Sequence, residues 1–301
     1  MRKNIQETMK KVLITGANSY IGESFAWYVK ERYPEEIEIN VLDMRKETWR
    51  KKDFSGYNTV FHVAGIAHAD SGIVSKEKEG LYYKVNRDLA IEAAKKAKKE
   101  GVRQFIFMSS MLVYGSTEYI TKETKPNPVT CYGNSKWQAE TAIRKLEEPG
   151  FFVAVLRAPM IYGKGCKGNY PVLAKMAGRL PVFPNIKNKR SLLYIEHLCE
   201  LLYLLIKNKE RGIFCPQNRE QVSTSEIVRA VAHANRHTIW ITSLLSPVAV
   251  LGKYMPGSIG VLCKKAFRSS CYELGISNYK EEYRTYKWED TIIQTEHGTG
   301  R

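Results

Sequence analysis

The chain has 301 residues, of which 44% are hydrophobic and 26% are charged, and this composition excludes wholesale disorder, a collagen-like fibre and a polytopic membrane protein. Lys and Arg number 47 against 31 Asp and Glu, so the formal net charge is +16 and favours an anionic partner: a nucleic acid, an acidic membrane face or a phosphorylated small molecule. The six cysteines form no Cys-x-x-Cys pair and adjoin no histidine cluster, so neither a metal site nor a secreted disulfide framework is predicted.

Strands and helices alternate over the first half of the chain. Apolar runs predict strands at 11–15, 37–42, 59–64, 104–108 and 151–156. Helical spacing and Ala-rich composition predict helices at 19–33, 86–100 and 130–148. Apolar strands that alternate with helices predict an α/β fold: a Rossmann-type, doubly wound parallel sheet that is covered on both faces.

Beyond residue 157 the alternation loosens, which indicates a smaller, mixed C-terminal substrate lobe. A Gly- and Lys-rich stretch at 163–169 is typical of a loop, and 192–208 is expected to return to the main sheet as a strand plus a helix. Another strand is predicted at 212–218. The predicted division is a Rossmann domain, to which one later segment returns, and a ligand-binding lobe over the carboxyl ends of the strands, where open α/β sheets bind ligands. The ranges are 1–165 with 191–217 for the first, and 166–190 with 218–301 for the second.

The turn between the first strand and the first helix carries glycines that suit a dinucleotide pyrophosphate. Glycine lets the backbone approach a phosphate closely, and the helix N-terminus offers unpaired N–H groups. Ser19 replaces the middle glycine of a Gly-x-x-Gly-x-x-Gly pattern, so a plain strand-to-helix turn stays the alternative. The predicted cofactor contacts of this turn are Gly16, Asn18, Ser19, Tyr20, Ile21 and Gly22.

The next strand ends at Asp43, 21 residues beyond Gly22. A carboxylate there can accept both ribose hydroxyls of adenosine and would repel a 2′-phosphate, which favours NAD. Arg45 could pair with a 2′-phosphate, so NADP remains possible, and Asp43 could also merely cap a helix. Asp43, Met44 and Arg45 are predicted to contact the cofactor.

A third motif, Tyr132 with Lys136, places a phenol and an amine four residues apart on one helix face. A free tyrosine has a pKa near 10, and a nearby ammonium together with the positive nicotinamide ring would favour the phenolate. Ser110, at the end of the fourth strand, would hydrogen-bond the same substrate oxygen while Tyr132 takes the hydroxyl proton and hydride leaves for the nicotinamide. Lys136 would also hold the nicotinamide ribose. A surface Tyr–Lys pair is the alternative for the spacing taken alone.

Together these motifs resemble the extended short-chain dehydrogenase/reductase family, which contains the nucleotide-sugar epimerases and dehydratases. The matching pieces follow family order over about residues 11–200: Thr15-Gly16 to Gly22, Asp43, His62-Val63-Ala64-Gly65, Val85-Asn86, Ser109-Ser110, Val113-Tyr114-Gly115, Tyr132 to Lys136, and 156–163. The resemblance implies further cofactor contacts from Ala64, Gly65, Asn86, Ser109, Pro159 and Ile161.

On the substrate side the resemblance implies that Asn169 and Arg190 contact the nucleotide-sugar diphosphate, since a guanidinium pairs bidentately with phosphate. A surface role for Arg190 beside two lysines stays open. Ser110, Met111 and Tyr132 are predicted to line the sugar site. His62 resembles a structural histidine of the family, and core or surface roles are expected for His68, His197, His233 and His237.

The residues after Ser110 narrow the reaction. Family dehydratases carry an Asp-Glu pair there, and 3,5-epimerising relatives use a nearby Cys, whereas Met111 and Leu112 can move no proton. The favoured prediction is an NAD-dependent epimerase that transfers hydride reversibly at C4 of a UDP-hexose or UDP-N-acetylhexosamine. An NAD(P)H-dependent 4-ketoreductase of a UDP-4-keto-6-deoxy sugar and a catalytically silent dinucleotide-binding sensor or scaffold are the alternatives.

The remaining predictions concern partners and location. The densest basic run, 95–99, has no interleaved aromatic residues, so a solvated helix face or attraction to an acidic membrane is expected rather than a nucleic acid. The polar start at 1–11 predicts a cytoplasmic protein. Pro and Lys interrupt the apolar stretch 239–263, so no integral membrane segment is predicted. The resemblance implies a possible homodimer built from paired helices.

Overall fold

The computed structural model describes residues 9–66, 75–247, 254–255, 260 and 266–298. In chain order the strands are β1 (Lys10–Thr15), β2 (Ile37–Leu42), β3 (Thr59–His62), β4 (Gln104–Ser110), β5 (Tyr119–Ile120), β6 (Phe152–Ala158), β7 (Met160–Tyr162), β8 (Val182–Pro184), β9 (Leu192–Tyr194), β10 (Gly212–Phe214), β11 (Trp240–Thr242) and β12 (Cys271–Tyr272). The helices are α1 (Tyr20–Arg32), α2 (Lys76–Tyr82), α3 (Leu89–Lys99), α4 (Cys131–Arg144), α5 (Asn169–Ala177), α6 (Ile195–Lys207), α7 (Thr224–Ala234) and α8 (Trp288–His297).

Six strands form the central sheet in the order β10-β6-β4-β3-β1-β2, and every pairing in it is parallel. The chain leaves β1 for β2 on one side and then crosses to β3 on the other. The strand order therefore reverses between β1 and β3, and such a reversal opens a crevice at the carboxyl ends of the strands. The predicted α/β fold with a doubly wound parallel sheet is confirmed.

Successive side chains of each strand enter two different hydrophobic cores. On one face, Val12 and Ile14 of β1 pack with Phe61 and with the buried side of α1. On the other face, Leu13 and Val60 pack with Phe105 and with the alanines of α3. Because α3 presents Ala90, Ala93, Ala94 and Ala97, all fully buried, its backbone can lie close to the sheet.

The helix predicted from residue 86 starts earlier in the structure. Ser75 caps α2 by accepting a hydrogen bond from the Lys78 N–H, and a π-helical stretch, Tyr83–Asp88, joins α2 to α3. The charged composition and Gly80 hide this turn from periodicity. The third strand is also shorter than predicted, since it ends at His62.

The prediction that the strand at 192–194 returns to the main sheet is wrong. Strand β9 pairs instead with β7, in a separate two-stranded sheet. Pro159 stands between β6 and β7 and has no N–H to donate, so the chain leaves the main sheet at that residue. The rest of that segment does rejoin the sheet layer, because α6 packs on α1 and β10 pairs with β6.

The remaining elements pack beyond the end of the sheet. Helix α7 lies against α5 and α8, β8 pairs with β11, and β12 pairs with β5. The division into a Rossmann domain and a substrate lobe stays a prediction. Within the described part of the chain, no helix is long and apolar enough to cross a membrane. The stretch 239–263 and His68 fall partly or wholly outside the described residues.

Candidate active site

A groove of about 700 Å³ opens at the carboxyl ends of β1, β2 and β3. Eight residues predicted to contact a cofactor line it: Gly16, Asn18, Ser19, Asp43, Met44, Arg45, Ala64 and Gly65. The opposite wall was not predicted and comes from one side of the helix that runs from α2 into α3, at Leu81, Lys84, Val85 and Asp88, together with Trp49 and Arg50. A groove of this size is typical of sites that enclose a small molecule or a cofactor.

The turn after β1 is built for close backbone approach. Gly16 has φ +128°, and a Cβ there would lie 2.7 Å from the Ala64 nitrogen. A Cβ on Gly22 would lie 3.1 Å from Ile14 Cγ2, so the first turn of α1 rests directly on the sheet. Ser19 caps that helix by accepting a hydrogen bond from the Gly22 N–H at 3.2 Å, which explains a serine at this position. The positive N-terminus of α1 therefore faces the groove.

Tyr20 and Ile21 direct their side chains away from this groove. Both pack against the hydrophobic core on the α1 face of the sheet. The Tyr20 hydroxyl oxygen lies 2.7 Å from where a Cβ on Gly163 would stand. Contact between these two residues and a cofactor is therefore left to their backbone N–H groups.

Asp43 is already engaged by its neighbour. Arg45 donates from Nε to Oδ1 at 2.9 Å and from Nη2 to Oδ2 at 2.7 Å, and its backbone N–H also donates to Oδ1 at 2.9 Å. These hydrogen bonds lower the pKa of the Asp43 carboxyl to about 2. The groove thus carries an ionised carboxylate at the end of β2, as predicted, but with a guanidinium across it.

Asn86 and Ser109 lie behind the groove wall. Asn86 is fully buried, and its side chain accepts from the Ile66 N–H at 2.8 Å and donates to Ser135 Oγ at 3.4 Å. Ser109 donates to Glu140 Oε2 at 3.0 Å on the α4 side of β4. These hydrogen bonds support the loop after β3 and the end of β4, and the contacts of Asn86 and Ser109 with a cofactor stay predictions.

Tyr132 and Ser110 are brought together at the start of α4. Thr130 caps this helix by accepting a hydrogen bond from the Gly133 N–H at 3.0 Å. A Cβ on Gly133 would lie 2.5 Å from the Leu112 carbonyl oxygen, so the helix begins against the turn that follows Ser110. The Tyr132 phenol is within hydrogen-bond reach of the Ser110 hydroxyl. Burial raises the pKa of Tyr132, and the hydrogen bond with Ser110 acts in the lowering direction.

Lys136 joins this pair to the groove. Its Nζ donates to the Met108 carbonyl at 2.8 Å, and it lies 4.9 Å from the centre of the Phe107 ring. A Cβ on Gly65 would stand 3.2 Å from the same Nζ, so the amine reaches the groove wall. Burial lowers the pKa of Lys136 to about 8. The protein's own groups therefore raise the pKa of Tyr132, because burial has a larger effect than the hydrogen bond with Ser110. The sequence predicted a lowered pKa, from Lys136 together with the nicotinamide ring.

A buried ion pair behind the site was not predicted. Arg157 of β6 donates to both carboxylate oxygens of Glu140, with Nε at 3.1 Å from Oε2, and also donates to the Tyr114 hydroxyl at 2.5 Å. The guanidinium lies between the rings of Tyr114 and Trp137, 5.0 and 5.5 Å from their centres. Tyr132, Lys136 and Glu140 stand four residues apart, so helical spacing was the signal that could have revealed Glu140.

Arg190, a predicted substrate contact, lies near the turn that follows Ser110. Ser270 donates to Met111 Sδ at 3.0 Å, and its carbonyl accepts from the Ser191 N–H at 3.0 Å. Arg190, next to Ser191, is therefore held opposite the turn that follows Ser110. Its Nη1 donates to Thr224 Oγ1 at 3.4 Å, and burial lowers the pKa of its guanidinium.

Three other predicted contacts lie on the segments that follow β6. Asn169 is the exposed first residue of α5 and follows Gly168, whose φ is +99°. Pro159 and Ile161 flank the break between β6 and β7, where both are partly buried. Their roles toward substrate and cofactor stay predictions.

His62 is buried and hydrogen-bonded, as its resemblance to a structural histidine of the family implies. Its Nδ1 lies 2.7 Å from Thr15 Oγ1, and its ring packs near Phe105 and Phe107. Burial, followed by the charge of Lys136, lowers the pKa of His62 to about 3. The imidazole is therefore neutral and fixes the end of β3 beside the end of β1.

Comparison with known proteins places this site in context. Residues 12–214 match the model of the NAD dependent epimerase/dehydratase family. The chain is 28% identical over 257 residues to the UDP-glucose 4-epimerase of Vibrio cholerae, covering 77% of each protein. It is 27% identical over 230 residues to the N-acetyl-alpha-D-glucosaminyl-diphospho-ditrans,octacis-undecaprenol 4-epimerase of Escherichia coli O157:H7, covering 74% of this chain and 67% of that protein.

Solved structures share the fold at low identity. A dTDP-4-dehydrorhamnose reductase from Clostridium acetobutylicum superposes with a TM-score of 0.72 at 17% identity, over 95% of this chain and 98% of that one. The UDP-glucose 4-epimerase of Thermus thermophilus, in complex with NAD, gives a TM-score of 0.72 at 19% identity, over 96% and 98%.

Proposed function

The chain belongs to the NAD dependent epimerase/dehydratase family, and we propose that it is a 4-epimerase of a UDP-linked hexose or N-acetylhexosamine. The family predicted from the motifs is thereby confirmed. The observation that carries the proposal is the Tyr132–Ser110 hydrogen bond, with Lys136 one helical turn further along α4 and close to Gly65 of the groove. These are the residues that hydride transfer at a carbinol carbon needs.

The groove fits a dinucleotide. The N-terminus of α1 would hold the pyrophosphate where Gly16 lets the backbone come close to Ala64. Asp43 would accept the adenosine ribose hydroxyls, and Lys136 would donate to the nicotinamide ribose. Bound NAD would supply the hydride acceptor and donor. This cofactor agrees with the family's description and with the NAD complex of the Thermus relative.

The protein's own groups account for the proton. The Tyr132 phenolate would take the proton from the sugar C4 hydroxyl, which leaves a neutral phenol, and would later return it, while Ser110 holds the same oxygen by a hydrogen bond. The buried, cationic Lys136 would favour the tyrosinate that exists before this proton is taken, because an opposite charge stabilises it. Met111, which follows Ser110, is buried and has a thioether side chain that cannot remove a proton from a neighbouring carbon.

Substrate recognition would come from the lobe. Arg190 would pair with the diphosphate, since its neighbour Ser191 is joined through Ser270 to Met111. Asn169 would donate to the same group, as the resemblance implies. A UDP-linked sugar is supported by the name of the Vibrio relative, and an N-acetylhexosamine by that of the Escherichia relative. The predicted cytoplasmic location and homodimer stay predictions.

A second candidate is a 4-ketoreductase that uses NADPH or NADH. The pair between Arg45 and Asp43 favours it, because a guanidinium at this position could bind a 2′-phosphate. A silent dinucleotide sensor is disfavoured, since Ser110, Tyr132 and Lys136 are all present, with Ser110 and Tyr132 hydrogen-bonded and Lys136 close to Gly65.

The deciding experiment measures retained cofactor and turnover in one preparation. Mass spectrometry of the native protein should find NAD, and incubation with UDP-glucose, UDP-galactose, UDP-N-acetylglucosamine or UDP-N-acetylgalactosamine should give the C4 epimer without net NADH formation. Stoichiometric oxidation of NADPH by a 4-keto sugar would support the reductase instead. Dinucleotide binding with no turnover of either substrate class would support the silent protein.

A further inference from the structure

The outer face of the β8–β11 ribbon is apolar where a solvent-facing strand is normally polar. Val182 and Trp240 are register partners in this ribbon, and 37% and 72% of their surfaces are exposed. Their successors, Phe183 and Ile241, pack inward on the core, and Phe183 is only 3% exposed. The alternation is that of a strand pair with one buried face, but both faces carry hydrophobic side chains.

The turn after β11 carries two further exposed hydrophobic side chains. Leu244 and Leu245 are 86% and 37% exposed. Thr242 Oγ1 accepts from the Leu244 N–H at 3.2 Å, and Asn185 Nδ2 donates to Ser243 Oγ at 3.3 Å. The backbone that carries both leucines is therefore held by polar contacts while their side chains point to solvent. We call Val182, Trp240, Leu244 and Leu245 the apolar ridge.

A basic groove adjoins the ridge. Asn185, which contacts the ridge turn, also lines a cavity of about 390 Å³ together with Lys187, Lys189 and Arg229. The carboxylate in this cavity belongs to Glu226, which accepts from the Ser223 N–H at 2.6 Å in a capping box at the start of α7. Within the described ranges, no ion pair includes the three cations.

Charge is concentrated in the sequence around these two features. Residues 164–190 contain seven Lys or Arg and no Asp or Glu. Residues 218–272 contain another seven Lys or Arg and only two acids. These two segments thus account for +12 of the formal net charge of +16. A second copy of the chain meeting this face would bring like charges together, which disfavours self-association through it.

We propose that the apolar ridge and the basic groove dock the protein on an anionic phospholipid bilayer. Trp and Leu side chains partition into the headgroup and upper acyl region, where an indole keeps its N–H hydrated. Lys and Arg are attracted to anionic headgroups, and the groove would take a lipid phosphate. An exposed apolar patch bordered by cations has the two signals that reversible membrane binding requires.

The test is vesicle co-sedimentation of the full chain without substrate. Binding to vesicles of phosphatidylcholine with phosphatidylglycerol should exceed binding to phosphatidylcholine alone by about tenfold or more, and added salt should reduce it. Trp240→Ser combined with Leu244→Ser should weaken binding by about tenfold and leave the turnover of a water-soluble sugar nucleotide unchanged. Lipids brominated in the acyl chain should quench fluorescence in the parent protein more than in the Trp240→Phe variant.

A charge-matched pair of variants separates the groove from net charge. Lys187→Gln with Arg229→Gln should reduce binding to anionic vesicles, whereas Lys95→Gln with Lys99→Gln removes two charges from α3 and should not. Equal loss in both, or equal binding to neutral and anionic vesicles, would overturn the proposal. A ridge variant that converts a dimer to a monomer in analytical ultracentrifugation, with vesicle binding intact, would make the ridge a subunit contact and also overturn it.

Discussion

The guanidinium of Arg45 bonds both carboxylate oxygens of Asp43, at 2.9 Å from Nε and 2.7 Å from Nη2. The same oxygens are the ones that an adenosine ribose would need. The choice of cofactor therefore depends on this pair. The ribose hydroxyls of NAD would compete with Arg45 for the Asp43 carboxylate. A 2′-phosphate would instead compete with Asp43 for the Arg45 guanidinium.

Substitutions of Asp43 and of Arg45 should shift the preference between NADP and NAD in opposite directions. Asp43→Asn removes the charge that repels a 2′-phosphate and frees Arg45, so the ratio of NADP to NAD affinity should rise by about tenfold or more, the size of one charged hydrogen bond. Arg45→Ala should lower that ratio by a similar factor. Titration of the apo protein with both dinucleotides measures it. Equal shifts in the same direction would show that the pair does not read the ribose.

Loss of the Tyr132 hydroxyl should slow turnover by orders of magnitude without loss of the fold. Tyr132→Phe is expected to bind dinucleotide like the parent and to lose about 10²- to 10⁴-fold in rate, the usual contribution of a general acid–base. The control is Tyr83→Phe. It removes a hydroxyl that accepts a hydrogen bond at 2.9 Å from Asn134, which lies on α4 with Tyr132. Interconversion of the C4 epimers is followed for both. A Tyr132→Phe enzyme with the parent's rate would rule out the assigned role.

Local backbone geometry made much of the groove predictable. Gly16 and Asp43 are set by the needs of a turn and of a strand end, and both needs are visible in a short stretch of sequence. Side-chain direction was less accessible: Ser109 and Ser110 are neighbours in β4, yet one bonds Glu140 and the other reaches Tyr132. Alternation along a strand guarantees opposite faces but does not say which face holds the site.

Partners that are distant in sequence were the least predictable part of the molecule. The pairing of β9 with β7 depends on where Pro159 ends the main strand. Arg157 and Glu140 each resemble ordinary surface residues in the sequence. Only packing of α4 on β6 buries them together, at 4% and 0% exposure.

Removing one member of the Arg157–Glu140 pair should destabilise the protein more than replacing both members with hydrophobic residues. Glu140→Gln leaves the guanidinium buried without a counter-charge, so the free energy of unfolding should fall by about 3–5 kcal/mol. For the double variant Glu140→Leu with Arg157→Met, the free energy of unfolding should fall by less than the sum of the decreases for the two single changes. Glu148→Gln, which removes the exposed partner of Lys98, should cost at most about 1 kcal/mol. Urea denaturation gives all of these values, and additivity of the two buried changes would argue against a coupled pair.

His62 should make the fold sensitive to mild acid. Burial lowers the pKa of its imidazole from 6.5 to about 3, so between these values the unfolded chain binds a proton that the folded protein does not. Stability contributed by the neutral ring is therefore present above pH 6.5 and is lost as the pH falls, at about 1.4 kcal/mol per pH unit. The parent's advantage in unfolding free energy over His62→Gln should shrink by about 2 kcal/mol between pH 7 and pH 5. His233→Gln, at an exposed position of α7, controls for the loss of an imidazole and should follow the parent. A constant difference between the parent and His62→Gln would mean that the folded protein protonates His62 at an ordinary pKa.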